Sequence, residues 1–250
     1  MKKINMDPIK EFNEEKVKNI EQLGKDSTTQ EMSRNLFLRM NQHKYSYNFS
    51  WMGRPIIAYP QDMIAMQEII YEVKPDLIIE TGVAHGGSIV YYASLLELIG
   101  TGGLVLGIDI DIRKHNRDLI EEHPMMKRIQ LIEGSSVSDE VINQVKAIVS
   151  KKKTIMVCLD SNHTHEHVLQ ELKLYAPLTS AGSYCVVFDT VVEDMPDDYD
   201  WGHRTWGKGN SPKTAVWEYL KTHDEFEVDK SIDNKLLISV APDGYLKRIK

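Results

Sequence analysis

Residues 77–88 read Leu77-Ile78-Ile79-Glu80-Thr81-Gly82-Val83-Ala84-His85-Gly86-Gly87-Ser88, an apolar run followed by a turn with three glycines. Such a run is typical of a buried strand, and apolar residues at helical spacing then continue to Ile99. Glycines allow a tight turn and the close approach of a ligand, while the free N–H groups at a helix start point toward it. The segment therefore predicts a strand, a ligand-binding turn and a helix.

Strands and helices alternate on both sides of this unit. Parallel strands buried on both faces read as continuous apolar runs, and right-handed crossovers between them produce a doubly wound sheet. Further strands are predicted at 104–110, 128–132, 154–159 and 183–189, helices at 60–74, 88–99, 115–122, 139–149, 166–175 and 212–222, and a terminal hairpin at 226–228 and 235–240. We expect an α/β fold with a mostly parallel, seven-stranded Rossmann-like sheet that ends in this antiparallel hairpin.

The chain before residue 48 is polar and rich in charge. We expect an N-terminal helical extension over residues 1–47 and one domain over residues 48–250. A helical extension of this kind can form an oligomer contact, so we also expect a homo-oligomer. The apolar residues that fit short amphipathic helices in the extension are Ile20, Leu23, Met32, Leu36 and Met40.

The composition, 42% hydrophobic and 27% charged, is that of a globular protein. A net charge of −7 argues against nucleic acid or an anionic membrane as a partner, because phosphate binding depends on a surplus of Lys and Arg. No window approaches about 18 consecutive apolar residues, and charge follows Met1–Asp7, so we expect a cytoplasmic protein without a membrane span or signal peptide. Cys158 and Cys185 lie in apolar runs and are expected to be buried and free.

The glycine spacing in the turn distinguishes between nucleotide ligands. A dinucleotide fingerprint, G-x-G-x-x-G, brings the backbone against a pyrophosphate, whereas here Gly82 is followed by Gly86 and Gly87. S-adenosylmethionine (SAM) carries an amino-acid end instead of a pyrophosphate, and the acidic Glu80 suits its ammonium group. The turn predicts SAM binding, while a structural turn without a ligand is the alternative. The expected cofactor-binding residues are Glu80, Gly82, His85, Gly86 and Ser88.

Polar residues also follow the next two predicted strands. An acidic residue at the tip of the second strand is where a ribose diol is held, which indicates Asp109, with Asp111 as the alternate. Ser135 and Ser136 follow the third strand, where small hydroxyl residues can line an adenine pocket. Simple capping of the loop explains these two serines equally well.

Carboxylates follow the fourth and fifth strands, at Asp160 and Asp189. Ligands collect outside the carboxyl ends of the strands in a doubly wound sheet, so the two should meet beside the SAM site if their strands are neighbours. Two carboxylates suit Mg²⁺, which would bind a substrate hydroxyl and lower its pKa, with His163 as the general base. A zinc site formed by His163, His165 and His167 is the disfavoured alternative, because neighbours on a helix lie three or four residues apart.

A loop rich in aromatic, glycine and basic residues follows the fifth strand. Flexible glycines with flat aromatic rings suit a loop that closes over a sugar, and a basic residue there could hold a phosphate. The alternative is a surface loop held in place by its tryptophans. The expected substrate-binding residues are Trp201, Arg204, Trp206 and Lys208. Two further candidates for the pocket wall are Trp51 and Arg54.

At these residues the chain resembles the cephalosporin hydroxylase / rhamnosyl O-methyltransferase family, whose members have a class I SAM-methyltransferase fold. The resemblance covers about residues 46–250. It runs through Tyr47-Asn48-Phe49-Ser50-Trp51-Met52-Gly53-Arg54-Pro55, Glu80 to Ser88, Gly107-Ile108-Asp109-Ile110-Asp111-Ile112-Arg113, Leu159-Asp160-Ser161-Asn162-His163-Thr164-His165, Gly182-Ser183-Tyr184 and Lys235-Leu236-Leu237.

The resemblance implies a magnesium site at Asp160 and at the end of the fifth strand. The chain is similar, too, to catechol-type O-methyltransferases, in which a lysine stands where this chain has His163. The family pattern has two adjacent acidic residues after the fifth strand, whereas this chain has Phe188 followed by Asp189. Glu193 or Asp194 could supply a third metal ligand. The SAM contacts implied by the resemblance are Glu80, Gly82, Gly86, Ser88 and Asp109.

Together these features predict a SAM-dependent O-methyltransferase that uses Mg²⁺ and acts on a hydroxyl of a sugar or related small molecule, in polysaccharide or secondary-metabolite biosynthesis. A non-catalytic SAM- or nucleotide-binding partner in a biosynthetic complex is one alternative, suggested by Phe188. An NAD-linked oxidoreductase is another, and the glycine spacing counts against it.

Overall fold

A computed structural model gives the fold of residues 7–250. The strands are β1 (Phe49–Trp51), β2 (Arg54–Ile56), β3 (Leu77–Thr81), β4 (Leu104–Asp109), β5 (Ile129–Glu133), β6 (Ile155–Leu159), β7 (Tyr184–Val187), β8 (Phe226–Val228) and β9 (Tyr245–Arg248). Seven of them form one sheet in the order β5-β4-β3-β6-β7-β9-β8. The pairs from β5 to β7 are parallel, and β9 is antiparallel to both of its neighbours.

Helices cover both faces of this sheet, because alternate residues of each strand point to opposite sides and both sides are apolar. On β3, for example, Ile78 packs into one core cluster and Ile79 into the other. The helices are α1 (Pro8–Leu23), α2 (Ser27–Asn41), α3 (Pro60–Val73), α4 (Gly87–Ile99), α5 (Lys114–Glu121), α6 (Asp139–Val149), α7 (His165–Tyr175), α8 (Pro212–Leu220) and α9 (Lys230–Leu236). Helices α3 and α4 contribute to the first cluster, and α6, α7 and α8 to the second.

The predicted doubly wound fold is confirmed, and the strands predicted between residues 77 and 189 differ from the observed ones by at most two residues at either end. Cys158 and Cys185 are buried and free, as expected. Across residues 7–250 no helix is both long and apolar enough to span a bilayer. The sequence around Met1–Asp7, used above to predict the lack of a signal peptide, lies almost wholly outside the described residues.

The C-terminal hairpin is present, but the prediction of its second strand at 235–240 is wrong. Helix α9 covers the start of that segment and ends at Leu236, because Asp229 caps its first turn and the apolar Ile232 and Leu236 lie at helical spacing. The strand that pairs with β8 is β9, in which Tyr245 and Leu246 are fully buried. The apolar run after Lys235 is therefore a helix end and a loop.

The N-terminal segment forms two helices that are longer than the short ones predicted. Met32 and Leu36 lie on α2, as expected of an amphipathic helix, and their side chains are 67% and 52% exposed. The residue of α2 that is buried is Phe37, whose ring stacks on Tyr59 with centroids 5.2 Å apart. Homo-oligomer formation stays a prediction.

A small antiparallel hairpin, β1 and β2, lies on the first turn of α4 and was not predicted. A Cβ atom at Gly87 would lie 2.2 Å from the carbonyl oxygen of Pro55, so only glycine allows β2 to approach the helix this closely. Trp51 also fixes the hairpin to α4 by donating its indole N–H to Ser94 Oγ at 3.1 Å. The hairpin thus forms a wall beside the glycine turn.

Candidate active site

The carboxyl ends of β3, β6 and β7 border one cavity of about 240 Å³. These strands are neighbours in the sheet, so residues that are far apart in the sequence reach the same edge. The wall includes the glycine turn from Gly82 to Ser88, residues from β2 and α3, and the segments that follow β6 and β7. The polar side chains at this cavity include Asp62, Glu80, Asp160, His163 and Asp189.

The glycine turn is held against the end of β6. Gly82 has a φ of +91°, and a Cβ atom there would lie 2.0 Å from the carbonyl oxygen of Asp160. Gly86 also has a positive φ, of +80°, and so does Ala84, at +46°, where an alanine is disfavoured. The turn is therefore both strained and closely packed, and glycine at position 82 allows it to approach the backbone at the end of β6.

Glu80 is the acidic residue that leads into this turn. Its side chain is buried, faces the cavity and accepts a hydrogen bond from Ser88 Oγ at 2.9 Å. Burial raises the pKa of Glu80 to about 8, the hydrogen bond from Ser88 lowers it, and the charge of Asp109 raises it further. A cation in the cavity would favour the charged carboxylate. This site suits the ammonium group of an amino-acid ligand.

Asp109 lies at the tip of β4, as predicted for a ribose-binding residue, but it also holds the turn. Its Oδ2 atom accepts the backbone N–H groups of Val83 at 2.8 Å and Ala84 at 3.2 Å, and its Oδ1 accepts that of Asp111 at 3.1 Å. A carboxylate has about four acceptor positions, so these bonds leave room for a further donor. The side chain of Asp111 is exposed.

The two serines predicted for an adenine pocket, Ser135 and Ser136, are absent from the wall of this cavity. Ser136 Oγ lies 3.2 Å from His167 Nε2, and the Ser136 carbonyl accepts a hydrogen bond from Tyr175 at 2.6 Å. Ser136 thus connects the loop after β5 to α7. His85 does line the cavity, while its carbonyl oxygen points to the other side of the turn.

Asp160, His163 and Asp189 meet at one end of the cavity. Each offers a ligand atom, and these atoms lie within 4.8 Å of one another, which makes the three a possible metal site within residues 7–250. Burial raises the pKa of Asp160 well above its usual range, and the charges of Asp189 and Glu80 add to this. A divalent cation would offset that repulsion, and two carboxylates with one imidazole can ligate a hard ion that keeps waters at its other positions.

His163 was predicted as a base and not as part of the magnesium group. Its Nδ1 atom lies 3.1 Å from Asp189 Oδ2. This position is compatible with a role as a base oriented by Asp189 and with a role as a metal ligand. Glu193 and Asp194, the predicted sources of a third ligand, are bound elsewhere. Glu193 accepts hydrogen bonds from Gly209 N and Ser211 Oγ, and Asp194 pairs with Lys213.

The structure does not support the zinc alternative. His165 Nδ1 lies 2.8 Å from Thr214 Oγ1, and its Nε2 lies 3.2 Å from a carboxylate oxygen of Glu218 on α8. His167 faces the loop after β5, as described above. The three histidines point in different directions because α7 begins at His165 and rotates each successive side chain.

Trp206 connects the long loop to the candidate metal site. Its ring lies over His163 with centroids 4.8 Å apart, and the guanidinium of Arg204 lies 5.1 Å from the Trp206 ring centre. Arg204 itself is exposed. These two predicted substrate residues are therefore near the cavity, with Trp206 against His163 and Arg204 against Trp206.

The other two predicted substrate residues lie away from the cavity. Trp201 packs against Tyr199, with ring centroids 4.6 Å apart, in the apolar cluster that anchors α2. Lys208 is exposed and pairs with Asp197. The sequence could not separate these two from Trp206 and Arg204, because all four belong to the same loop.

Sequence reasoning missed Asp62, which lies in the first turn of α3 and lines the cavity. Its carboxylate is 2% exposed and accepts hydrogen bonds from Ser239 Oγ, Val240 N and Tyr245 OH at 2.5–2.9 Å. Burial raises the pKa of Asp62 to about 6, and these hydrogen bonds lower it. Acidic residues are common in the first turn of a helix, so nothing in the sequence indicated that Asp62 would line the cavity.

A doubly wound sheet that ends in an antiparallel pair, with a carboxylate-led glycine turn beside a cavity, defines a class I SAM-dependent methyltransferase. Residues 43–249 match the family model described as rhamnosyl O-methyltransferase/CmcI. The chain belongs to this family, and it is a SAM-dependent O-methyltransferase, as predicted.

Curated relatives agree with this assignment, and a solved structure shares the fold. A rhamnosyl O-methyltransferase from Mycobacterium tuberculosis is 34% identical over 218 residues, which cover 82% of this chain and 83% of the relative. One from Mycobacterium leprae is 31% identical, covering 82% and 88%. The solved structure of CmcI with Mg and SAM is 20% identical with a TM-score of 0.57, covering 82% of this chain and 78% of that one, which shows the shared fold.

Proposed function

We propose that this protein transfers the methyl group of SAM to a hydroxyl group of a sugar, with Mg²⁺ bound by Asp160 and Asp189. The observation that carries the proposal is the meeting of Asp160, His163 and Asp189 beside the glycine turn. The names of the mycobacterial relatives support a rhamnose-type acceptor. We assign the activity to residues 48–250, with residues 1–47 as an extension whose last two residues, Ser46 and Tyr47, reach the cavity.

The amino-acid end of SAM would lie at the turn. Glu80 would accept hydrogen bonds from its ammonium, and Gly82 and Gly86 would allow the backbone to approach it, with His85 and Ser88 at the sides. Asp109 would hold the ribose with its remaining acceptor positions. Ser135 and Ser136, in the loop after β5, stay candidates for the adenine end outside this cavity.

The donor set at Asp160 and Asp189 fits Mg²⁺, because both ligands are carboxylates and the third group, His163, lies within the same 4.8 Å. When bound, the ion would lower the pKa of an acceptor hydroxyl and orient its oxygen. Phe188 stands where the family pattern has an acidic residue, so this site has one carboxylate fewer. The Phe188 side chain is buried and forms an apolar part of the cavity wall.

His163 would remove the proton of the acceptor hydroxyl. If Nδ1–H is donated to Asp189, Nε2 is the basic nitrogen, and the carboxylate stabilises the imidazolium that forms. Trp206 covers the imidazole and limits access of water, and its ring offers a flat surface for the C–H face of a sugar. Arg204, outside Trp206, would reach a more distant acidic group of the acceptor.

The test is production of S-adenosylhomocysteine from SAM with rhamnosides as acceptors, followed by mass spectrometry of the product. Asp160→Asn should abolish transfer, and the matched change Asp224→Asn should not, because Asp224 is exposed and pairs with Lys250, away from the cavity wall. SAM binding without transfer to any sugar offered would overturn the proposal in favour of a non-catalytic SAM-binding role.

A further inference from the structure

We propose that Arg54 and Asn116 form a clamp on the carbonyl groups of the glycine turn and hold it in its SAM-binding shape before SAM arrives. The clamp consists of these two side chains and the carbonyl oxygens of Ala84 and His85. Both are positioning residues, since neither side chain lines the cavity. The inference rests on the proposed function only in that SAM is the ligand of the turn.

The hydrogen bonds of the clamp form a connected set. Arg54 donates from Nε and Nη2 to the carbonyl oxygen of His85, at 3.0 and 2.5 Å. The same Nη2 donates to Asn116 Oδ1 at 3.0 Å, and Asn116 Nδ2 donates to the carbonyl oxygen of Ala84 at 3.0 Å. One side chain comes from β2 and the other from α5, so two separate elements meet on two consecutive peptides.

Burial makes this arrangement specific. Arg54 is 5% exposed and Asn116 is 4% exposed. No carboxylate in the described part of the chain forms an ion pair with Arg54, which is unusual for a buried guanidinium. Its charge is instead met by carbonyl oxygens. Arginine presents its donors in a fixed planar fork, which lysine cannot reproduce, so the fork defines the position of the His85 carbonyl.

The N–H side of the turn is held as well. Asp109 accepts the N–H groups of Val83 and Ala84, on the side opposite the clamp. Ala84 has a φ of +46° and an exposed side chain, so neither an intrinsic preference nor burial of its methyl group holds it in this region. The hydrogen bonds to its two neighbouring peptides provide the constraint.

A preformed turn has a measurable consequence for binding. When only a fraction of molecules has the competent shape, the apparent Kd equals the intrinsic Kd divided by that fraction. Removal of the clamp should lower the fraction of molecules whose turn has the binding-competent shape. It should not change any direct contact with SAM, the acceptor or the metal ligands. The effect should therefore appear in the affinity for SAM and not in the rate of the bound complex.

Asn116→Ala and Arg54→Lys test this directly by calorimetric titration with SAM. We expect the Kd for SAM to rise roughly tenfold in each variant, because the net contribution of one such hydrogen bond corresponds to about a tenfold change in an equilibrium constant. The kcat at saturating SAM and the KM for the acceptor should stay within about twofold, a split that general loss of packing would not produce. The matched control is Ser180→Ala, which loses hydrogen bonds to Ile155 and Lys153. These residues lie at the amino end of β6, away from the cavity, so the Kd for SAM should stay unchanged.

Ala84→Gly provides a rescue. Glycine adopts positive φ about as readily as negative φ, so the turn needs less help from the clamp. In the Asn116→Ala background, Ala84→Gly should recover part of the lost affinity. If the Asn116→Ala variant binds SAM with the wild-type Kd, the clamp does not position the turn. The same conclusion follows if Ala84→Gly weakens SAM binding further in the Asn116→Ala background.

Hydrogen exchange in the wild-type protein gives a measurement that depends on no variant. The amides of Val83 and Ala84 should already be protected without SAM, and SAM should add little. Rapid exchange of both amides in the free protein would overturn the inference even if the variants fail to fold. Absence of SAM binding by the wild-type protein would instead overturn the proposed function, and the clamp's proposed role with it.

Discussion

The Nδ1 atom of His163 lies 3.1 Å from Oδ2 of Asp189, although the two residues follow different strands of the sheet. The contact exists because β6 and β7 are parallel neighbours and both carboxyl ends reach the same edge. It links the proposed base to one of the proposed metal ligands. Loss of either side chain should therefore affect chemistry more than binding of SAM, whose proposed site is at the tip of β3.

For His163 we expect His163→Ala to lower kcat by about a hundredfold to ten-thousandfold, the usual contribution of a general base. The Kd for SAM should stay near the wild-type value, because the turn is intact. Steady-state kinetics and calorimetry measure the two quantities. His43→Gln, at an exposed position, is the control, and a kcat near wild type in His163→Ala would remove the residue from the mechanism.

For Gly82 we expect Gly82→Ala to displace the segment after β6, because the new Cβ would lie 2.0 Å from the carbonyl oxygen of Asp160. A shift of about 1 Å at a reacting group costs about a hundredfold in rate, so kcat/KM should fall by at least about that much. Gly100→Ala is a matched control, since Gly100 has a φ of +77° but nothing within 4 Å of an added Cβ. Equal losses in both variants would mean that backbone conformation, and not the close approach, decides the effect.

For Glu80 the raised pKa predicts how stability depends on pH. The folded protein holds this proton up to about pH 8, whereas the unfolded chain releases it near 4.5. Glu80 therefore lowers stability progressively as the pH rises from 4.5 to 8, and Glu80→Gln lacks this loss. The free energy of unfolding of Glu80→Gln relative to wild type should increase by more than about 1 kcal/mol between pH 5 and pH 8 in urea titrations without SAM.

The same variant should bind SAM more weakly, because the amide cannot balance the ammonium charge. Stability and affinity thus change in opposite directions, which separates a binding carboxylate from a structural one. A difference in unfolding free energy that does not vary with pH would show that Glu80 is ionised in the folded protein throughout this range.

For Trp206 we expect Trp206→Ala to raise the KM for the acceptor roughly tenfold through loss of an aromatic contact, with little change in the Kd for SAM. Initial rates at varied acceptor concentration measure this. Trp217→Ala is the control, since that side chain is 50% exposed on α8 and takes no part in the cavity wall. An unchanged acceptor KM in Trp206→Ala would show that this loop covers His163 without contacting the sugar.

Patterns within short segments were enough to predict much of the fold. The apolar run before Glu80 and the glycines after it lie within a few residues, and strand and helix periodicities are properties of such windows. The tip residues Asp109, Asp160 and Asp189 followed from the rule that ligands collect at the carboxyl ends of parallel strands. The segment after Lys235 was misread because a short apolar run fits a strand and a helix end equally well.

What the sequence by itself determined was therefore the alternation of elements, the glycine turn and the acidic residues at the strand tips. Only the tertiary structure decided that Asp160, His163 and Asp189 share one site, that Asp109 holds the turn, and that Trp206 contacts the ring of His163. Arg54 and the carbonyl it holds are 31 residues apart. Contacts of that kind depend on how whole helices and strands pack against one another. No local periodicity encodes them, because the sequence neighbours of each residue are ordinary and do not reveal the distant partner.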